Sequence, residues 1–487
     1  MTGSERATPT SGWLSDAPLY GAWRRAIDAD LASFTIPGHK RRAHEVAAEL
    51  GRFFDGDIPL YGGLDTVKLD GHVVEQAEAV GAEFWGGDWC RYSTGGSTHA
   101  NQVATLAVAA PGATVLVARN AHRSTVTGLV LAGLEPVWLP AQIDSELGVP
   151  TGLSTDVVAR ALDEHPDARA VLLVEPGYLG AVSDLPAIVE LAHAQDVPVV
   201  VDQAWGAHLG VHPAYPAHAI TLGADLMVMS AHKTLAAWTQ ASVIVARTDR
   251  LDRGRLDRAF DACLSSSASG TILASIDVAR ALLASSAGQE LLGRLVEEVA
   301  GLRADLAAAG VVTLQPERFG AGRYDPAKLV LLLGPSGHDG LALERHLQAD
   351  GIPVEMADRD TVVPIVSMLD TSATIGRLRA SLLTGLAAQG PVRPRPVATA
   401  AQWVLTAPAA LSPREAFFAA QATLPADQAV GRVSAELIAP YPPGIPVVVP
   451  GEVLTAEVVD ALRLTAAGGV RIAYAADPSL ETFQVVA

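Results

Sequence analysis

The chain has 487 residues and a formal net charge of −18 at pH 7; 49% of its residues are hydrophobic and 18% are charged. This length and composition predict about two or three domains around a large buried core, and they exclude wholesale disorder. The negative charge argues against nucleic acid or an anionic membrane as the main partner, although it permits a local cationic pocket and a basic substrate.

The cysteines and the N-terminal segment bear on the compartment. Cys90 and Cys263 are the only cysteines, too few for a disulfide framework or a four-ligand zinc site, so a reducing environment is expected. The first residues lead into polar, proline-containing sequence without the apolar core of a signal peptide, and no run reaches the roughly 18 apolar residues of a membrane span. The sequence therefore predicts a soluble, cytoplasmic protein.

Residues 1–40 are predicted to form an N-terminal arm, and residues 41–265 a large domain. The arm contains a short helix over Tyr20–Leu31 and ends in a turn marked by Pro37 and Gly38. In the large domain, helical patterns such as Leu185–Gln195 alternate with short apolar runs that are typical of strands buried on both faces of a parallel sheet. These runs are Thr114–Val117, Val171–Val174, Pro198–Val201 and Asp225–Met229.

Two smaller units are predicted after the large domain. Residues 266–390 indicate a small α/β domain, and residues 391–487 a C-terminal domain that follows a proline-rich, charged linker at Gly390–Pro396. The chain as a whole is predicted to be an α/β protein with a mainly parallel sheet flanked by helices and smaller α+β domains. The elements predicted in these units are a helical stretch over residues 275–310, strands at Lys328–Leu333, Val354–Met356 and Val362–Ser367, helices at Thr371–Gln389 and Ser412–Thr423, and a proline-dense loop at Tyr441–Pro450.

Lys233 is the first candidate for a chemical role. The chain contains only four lysines, at positions 40, 68, 233 and 328, whereas arginine supplies the other 31 basic residues. Lysine alone offers an amine that can lose its proton and form an imine. A lysine at the start of a surface helix is the ordinary explanation, but scarcity and a position directly after a buried strand favour an imine-forming lysine here.

Ligands of open parallel sheets bind beyond the carboxyl ends of the strands, where further polar residues follow the apolar runs. Asp202 ends one such run; alone it could simply cap a helix, but beside an imine-forming lysine it can bond the nitrogen of a pyridinium ring and maintain that ring as an electron sink. The turn Thr94–Thr98, with Gly96, Ser97 and Thr98, precedes a helix and has the small residues that a phosphate site requires. Further candidates at this edge are Ser230 and His232 for the phosphate and His122 for stacking on a flat cofactor.

A metal site is not predicted. His208 and His212 have the i,i+4 spacing of a helical metal pair, but Pro213 and the glycines at 206 and 210 argue against a regular helix, and no third ligand is evident. The sequence also contains no dinucleotide-binding glycine motif and no Walker A motif.

Several segments resemble the bacterial Orn/Lys/Arg decarboxylases, which are pyridoxal-phosphate enzymes of fold-type I. The stretch Ser230–Ser242 is similar to the cofactor-lysine signature of that family, and the resemblance covers nearly the whole chain. The C-terminal match is specific, because fold-type I aminotransferases do not share it. The other segments that carry the resemblance are Thr35–Lys40, Arg119–Ser124, Glu175–Gly180, Asp202–His208, Gly431–Glu436, Pro440–Pro446 and Pro450–Glu452.

The resemblance implies a fold-type I, transferase-like protein with pyridoxal 5'-phosphate bound to Lys233 as a Schiff base. It implies Asp202 as the partner of the ring nitrogen, and it implies a homodimer or larger assembly with active sites at the subunit interface. The resemblance implies His122 as the stacking residue and His232 as a residue for proton transfer. It implies Glu452 and His39 as substrate contacts. The residues that it assigns to the phosphate are Gly96, Ser97, Thr98, Ser230 and His232.

Three departures from the family pattern concern the substrate rather than the cofactor. The family usually has an Asn-Gly-Thr-Ser turn where this chain has Gly95–Thr98, and a glutamate where this chain has Val67. A Thr-Ser-Pro-Ser-Tyr pattern is replaced by Ser266–Gly270, which can reshape the substrate pocket.

The predicted function is α-decarboxylation of an amino acid, with arginine, lysine or ornithine favoured, to give an amine and carbon dioxide. One alternative is an enzyme that uses the same cofactor but breaks a different bond, such as an aminotransferase, an oxidase or another lyase. A decarboxylase that acts on a non-basic amino acid belongs to the same alternative. The other alternative is a non-catalytic paralogue, which the joint presence of Lys233 and Asp202 disfavours.

Overall fold

The computed structural model describes residues 12–29, 34–41, 54–58, 63–64, 72–108, 110–390, 392–395, 405–441 and 444–487. The departure predicted at Val67 lies outside these residues. The helices are α1 (Pro18–Asp28), α2 (Val73–Phe84), α3 (Gly96–Val108), α4 (Arg123–Ala132), α5 (Thr155–Glu164), α6 (Leu185–His193), α7 (Ala231–Thr234), α8 (Arg253–Cys263), α9 (Gly270–Ala284), α10 (Ser286–Ala308), α11 (Gly340–Ala349), α12 (Ser372–Ala388), α13 (Pro413–Phe418), α14 (Ala426–Ala429) and α15 (Ala456–Ala467). Short 3₁₀ helices lie at Gly12–Asp16 and Pro316–Arg318.

The strands follow the same chain order. They are β1 (Trp89–Ser93), β2 (Thr114–Ala118), β3 (Glu135–Leu139), β4 (Gln142–Ile143), β5 (Pro150–Gly152), β6 (Val171–Val174), β7 (Val199–Asp202), β8 (Leu226–Ser230), β9 (Ser242–Ala246), β10 (Val312–Thr313), β11 (Leu331–Leu332), β12 (Met356–Ala357), β13 (Thr361–Val363), β14 (Gln421–Pro425), β15 (Ala439–Tyr441), β16 (Arg471–Ala473) and β17 (Thr482–Val486). No single helix among the described residues has the length and apolar composition to cross a membrane; α9 and α10 pass that test only as a pair, bent by 77°.

The central feature is a seven-stranded sheet in the order β1-β9-β8-β7-β6-β2-β3. All its neighbouring pairs are parallel except those of β9, which runs antiparallel to both β1 and β8. The predicted mainly parallel sheet is therefore confirmed, and its four predicted apolar runs become β2, β6, β7 and β8.

The sheet is covered by helices on both faces, which explains why its strands are continuously apolar. Along β2, Val115 and Val117 pack in a core with α3, α4 and α8, whereas Leu116 between them belongs to a second core with α5, α6, α9 and α10. Because successive side chains of a strand point to opposite faces, both faces need apolar residues. Because β6, β7 and β8 are parallel neighbours in this buried sheet, the polar residues that follow them meet at the same edge.

The later part of the chain forms smaller sheets. β10, β11, β13 and β12 form an antiparallel sheet that packs with α10 and α11. The C-terminal segment adds the pairs β14-β17 and β15-β16 around a core of its own. The linker residues 392–395 form no helix or strand, and Arg395 is bonded to Asp360. The domain boundaries given above stay a prediction.

Several predicted elements differ from the structure. The strands predicted at Val354–Met356 and Val362–Ser367 appear as Met356–Ala357 and Thr361–Val363. The helix predicted over Ser412–Thr423 ends at Phe418 in the structure, and the segment Gln421–Pro425 is a strand. This segment is extended because it pairs with β17 near the C-terminus, where Thr423 lies opposite Gln484. A pairing partner so distant in sequence leaves no local pattern. The strand predicted over Lys328–Leu333 is reduced to Leu331–Leu332, and Lys328 lies in the preceding turn.

Candidate functional site

A cavity of about 390 Å³ lies at the carboxyl edge of the large sheet. Residues that follow β1, β2, β6, β7 and β8 meet there, as expected for the ligand site of an open α/β sheet. Its lining residues are Gly95, Gly96, Ser97, Thr98, Asn101, Asn120, His122, Arg123, Val174, Tyr178, Asp202, Ala204, Trp205, Ser230, His232, Lys233, Thr239, Gln240, Glu355, Tyr441, Ile445 and Tyr474.

Lys233 lies in α7, directly after β8, and its Nζ is 4.1 Å from the ring centroid of Trp205. Burial lowers the pKa of the Lys233 amine from its usual range, and the nearby carboxylates of Asp202 and Glu355 oppose that shift. Desolvation disfavours the charged ammonium form, so the amine is easier to deprotonate than a surface lysine. A deprotonated amine is the form that attacks a carbonyl carbon.

Asp202 ends β7 and is 6% exposed. Its Oδ2 accepts a hydrogen bond from Asn101 Nδ2 at 2.7 Å, and its Oδ1 accepts one from the Ala204 backbone N–H at 3.0 Å. These two bonds hold the carboxylate in one orientation at the cavity wall, where it can accept a proton or an N–H bond from a heterocyclic ligand.

A chain of hydrogen bonds joins Asp202 to His122 through Asn101 and Ser124. Asn101 Nδ2 also donates to Ser124 Oγ at 2.9 Å, and Ser124 Oγ lies 2.8 Å from His122 Nδ1. The pKa of His122 is lowered to about 4. Burial is the main cause, Asp202 opposes it, and Lys233 and Arg123 act in the same direction as burial. At neutral pH the imidazole is therefore uncharged, which suits a ring that stacks on a positively charged heterocycle.

The opposite end of the cavity has the features of a phosphate site. Gly96 has φ +68°, a left-handed conformation that glycine adopts without strain, and it begins the 13-residue helix α3. The first backbone N–H groups of a helix have no partners within it and attract anions. Ser97 Oγ lies 2.6 Å from Ser230 Oγ, so two hydroxyl groups from different elements face the same point.

His232 lies beside this end of the cavity. Its Nδ1 is 2.9 Å from the Ala241 carbonyl oxygen, which requires that Nδ1 carry the proton and donate it. Burial lowers the pKa of His232, so the neutral ring presents Nε2 as a proton acceptor. Together, a desolvated amine, an oriented carboxylate, a neutral imidazole and a hydroxyl-lined helix N-terminus fit the parts of pyridoxal phosphate.

Two residues predicted to contact the substrate do not line the cavity. Glu452 is 1% exposed and pairs with Arg119, with Oε1 3.0 Å from Nη1, and its Oε2 accepts the Val449 backbone N–H. His39 stacks on Phe54, and its Nε2 lies 3.1 Å from Asp57 Oδ2. Gly270, where the family pattern is broken, also lies elsewhere.

The structural setting of Gly270 accounts for the small residue there. It begins α9, and an added Cβ would lie 3.1 Å from side-chain atoms of both Ile58 and Leu64.

Of the two histidines considered for a metal pair, His208 pairs with Asp325 at 3.1 Å. No group of three potential metal-ligating residues occurs among the residues that the structure describes.

Sequence reasoning missed Asn101 and Glu355, and it named Trp205 only as part of a motif. Asn101 could have been found, because it stands four residues after Ser97 and therefore on the same face of α3. Glu355 had no local signal, since it lies in the small antiparallel sheet region and reaches the cavity only through packing against the large sheet.

Comparison with known protein families gives two matches. Residues 17–374 match the family described as Orn/Lys/Arg decarboxylase, major domain, and residues 400–470 match the family described as Orn/Lys/Arg decarboxylase, C-terminal domain. Similar proteins include an arginine decarboxylase of Halalkalibacterium halodurans, 34% identical over 96% of this chain and 97% of the relative. An arginine decarboxylase of Bacillus subtilis is 32% identical over 97% of this chain and 98% of the relative.

Solved structures show the same fold. A lysine decarboxylase of Francisella novicida superposes with a TM-score of 0.81 at 21% identity, covering 97% of this chain and 81% of the other. A serine palmitoyltransferase of Sphingomonas wittichii superposes with a TM-score of 0.56 at 16% identity, covering 78% and 86% of the two chains.

Proposed function

This chain belongs to the Orn/Lys/Arg decarboxylase family and is a pyridoxal-phosphate-dependent amino-acid decarboxylase, and on that premise we propose that its substrate is arginine. The observation that carries the choice of a basic substrate is the carboxylate of Glu355 on the wall of the cavity that contains Lys233. The proposal of arginine rather than lysine or ornithine is supported by two relatives that match nearly the whole chain and are named arginine decarboxylases.

In this proposal the cofactor is held at three points. Lys233 would bond the cofactor's carbonyl carbon, Asp202 would pair with its ring nitrogen, and Ser97 and Ser230 at the N-terminus of α3 would hold its phosphate. Thr98 contributes a backbone N–H group there, whereas the Gly96 N–H donates to the Gln240 carbonyl oxygen at 2.9 Å and shapes the turn. The bound pyridoxal phosphate supplies an electron-accepting ring that takes up the electron pair of the broken Cα–carboxylate bond.

The chain's own residues orient the reacting groups and move protons. Asp202 keeps the ring nitrogen protonated, and Asn101 prevents Asp202 from turning away. His122, which is uncharged at neutral pH, would stack on the ring without adding a second positive charge. After carbon dioxide leaves, Cα needs a proton, which Lys233 in its ammonium form, or His232 once its Nε2 has taken up a proton, would deliver, because both lie at the cavity wall.

Glu355 is proposed to receive the guanidinium group of arginine. Burial raises the pKa of its carboxyl group, whereas Lys328 and Lys233 lower it. A charged bidentate pair in a partly desolvated pocket stabilises the bound substrate more than a neutral hydrogen bond does. An anionic wall opposite the cofactor lysine therefore favours a substrate whose side chain ends in a cation.

We expect the Glu355→Gln variant to raise KM for arginine by about tenfold to a hundredfold and to change kcat less, because it removes a charge-assisted bond. Steady-state kinetics of the purified holoenzyme measure this. Glu452→Gln is the matched control, since that carboxylate pairs with Arg119 outside the cavity. A raised KM in the control together with an unchanged KM in Glu355→Gln would contradict the assignment.

The function itself is tested by supplying the holoenzyme with arginine, lysine, ornithine and a panel of neutral amino acids. We expect carbon dioxide from arginine at the highest kcat/KM, with agmatine as the product detected by mass spectrometry. Transfer of the amino group to a keto acid, without carbon dioxide, would instead support an aminotransferase. Absence of product from every amino acid, with cofactor bound, would support a non-catalytic paralogue.

We also propose a homodimer or larger homo-oligomer with the active site at the subunit interface. The rim of the cavity supports this, because Tyr441 and Tyr474 line it while remaining 46% and 40% exposed, and Trp238 beside it is 63% exposed. Exposed aromatic residues around a site are typical of surfaces that another subunit covers. We also propose a cytoplasmic location, which fits the observation that Cys90 and Cys263 form no disulfide.

A further inference from the structure

Lys328 is a second buried lysine beside the cavity. Its Nζ lies 4.2 Å from the ring centroid of Trp205 and 4.9 Å from that of Tyr178. The Nζ of Lys233 lies 4.1 Å from the same Trp205 centroid. One indole ring thus contacts two ammonium groups, and only that of Lys233 belongs to the cavity lining.

The stem of Lys328 is fixed in place. Its carbonyl oxygen accepts hydrogen bonds from Arg303 Nη2 at 2.7 Å and from Tyr324 Oη at 3.1 Å. Gly180, with φ +100°, packs so closely that an added Cβ would lie 2.9 Å from the Cβ of Lys328. The chain therefore leaves the side chain little freedom to withdraw from the rings.

The ammonium group has no hydrogen-bond partner within the part of the chain that the structure describes. Lys328 is only 7% exposed. Burying an ammonium group without such a partner is costly, and a methionine would fill similar space without that cost. Packing alone therefore does not account for a lysine at this position.

The charges that face Lys328 come from several elements. Asp325 of the same turn, which pairs with His208, and Glu355 near β12 are its anionic neighbours, and Lys233 is the cationic one. Burial lowers the pKa of Lys328 to about 8, so the group is still mainly charged at neutral pH. Tyr178, Tyr324 and Arg303 complete its surroundings.

We propose that Lys328 is a positioning residue for Lys233. Its ammonium group is held against the ring of Trp205, which both lysines contact. The positive charge of Lys328 thereby favours release of a proton from the amine of Lys233 and from its imine. The proposal deepens the proposed function and rests on Lys233 as the cofactor lysine. Its physical basis is like-charge repulsion, which disfavours a second positive charge at the same ring.

The test is a pH titration of the visible absorbance of the imine in the holoenzyme. Because each Nζ lies about 4 Å from the centroid of Trp205, the two are at most about 8 Å apart, and like charges at that distance with an effective dielectric constant of about 20 change each other's pKa by about one to two units. In Lys328→Met the midpoint is expected to rise by about that amount, because the protonated imine loses its repelling neighbour. Lys328→Arg, which keeps the charge, is expected to restore the midpoint.

Arg250→Met is the matched control, because it removes one positive charge at the opposite end of β8, where Arg250 pairs with Asp225. Its midpoint should stay at the unaltered value. An unchanged midpoint in Lys328→Met overturns the proposal. If Lys328→Met and Lys328→Gln both lose the cofactor while Lys328→Arg keeps it, the charge of Lys328 is needed for folding of the site rather than for tuning Lys233. That outcome also overturns the proposal. Absence of imine absorbance in the unaltered protein overturns the proposed function instead.

Discussion

Replacing Lys233 with alanine is expected to abolish the visible imine absorbance and to lower kcat for decarboxylation by at least about a thousandfold. The expectation follows from its position: Lys233 follows β8 in α7, and its burial at the cavity wall lowers the pKa of the amine. Absorbance spectroscopy and carbon dioxide release on the same preparation measure both effects.

Lys233→Arg separates covalent chemistry from charge. Arginine keeps a positive side chain near Trp205 but cannot form an imine, so this variant should lose the absorbance and the activity as completely as Lys233→Ala does. The other described lysine at this ring, Lys328, provides a stringent comparison because it contacts Trp205 equally closely. An imine that persists in Lys233→Arg would show that a different amine binds the cofactor.

Replacing Asp202 with asparagine should leave the imine absorbance in place and lower kcat by about a hundredfold to a thousandfold. Asparagine has the same shape and can keep a bond to Asn101, but it carries no charge to hold the ring nitrogen protonated. The ring then accepts electrons poorly, although the cofactor stays bound. Steady-state kinetics at saturating substrate measure the change in kcat.

Asp225→Asn is the matched control for this prediction. Asp225 is also buried and lies at the opposite end of the same sheet, where it bonds His193 and the Val199 backbone N–H. Its replacement should lower thermal stability while leaving the kcat of the folded enzyme close to normal. If Asp202→Asn keeps normal kcat, the carboxylate has no role in the chemistry.

Much of the fold was predictable because its signals are local. Continuous runs such as Val171–Val174 report burial on both faces, and that burial is what a central parallel strand requires. The helix predicted at Thr371–Gln389 appears as Ser372–Ala388, and its N-cap Thr371 is a residue type that favours this position.

Elements that depend on distant partners were predicted less well. The segment Gln421–Pro425 has a composition compatible with a helix, and its pairing with the C-terminal strand makes it β14 instead. Likewise Glu452 looks available for a substrate, but Arg119, more than 300 residues earlier in the chain, occupies its carboxylate. Neither outcome follows from residues nearby in sequence.

The sequence by itself determined which residues are the candidates for the chemical core of this decarboxylase, namely Lys233, Asp202, His122 and the Gly96–Thr98 turn, all of which line one cavity. Asp202 ends a strand and the others follow one within about four residues, so the order of elements along the chain already assigns them to one edge of the sheet. Only the tertiary structure decided how they are tuned. Asn101 orients Asp202 across the site, and packing of the small sheet against the large one brings Glu355 and Lys328 to the amine of Lys233. Electrostatic effects depend on distance in space, which the sequence does not specify.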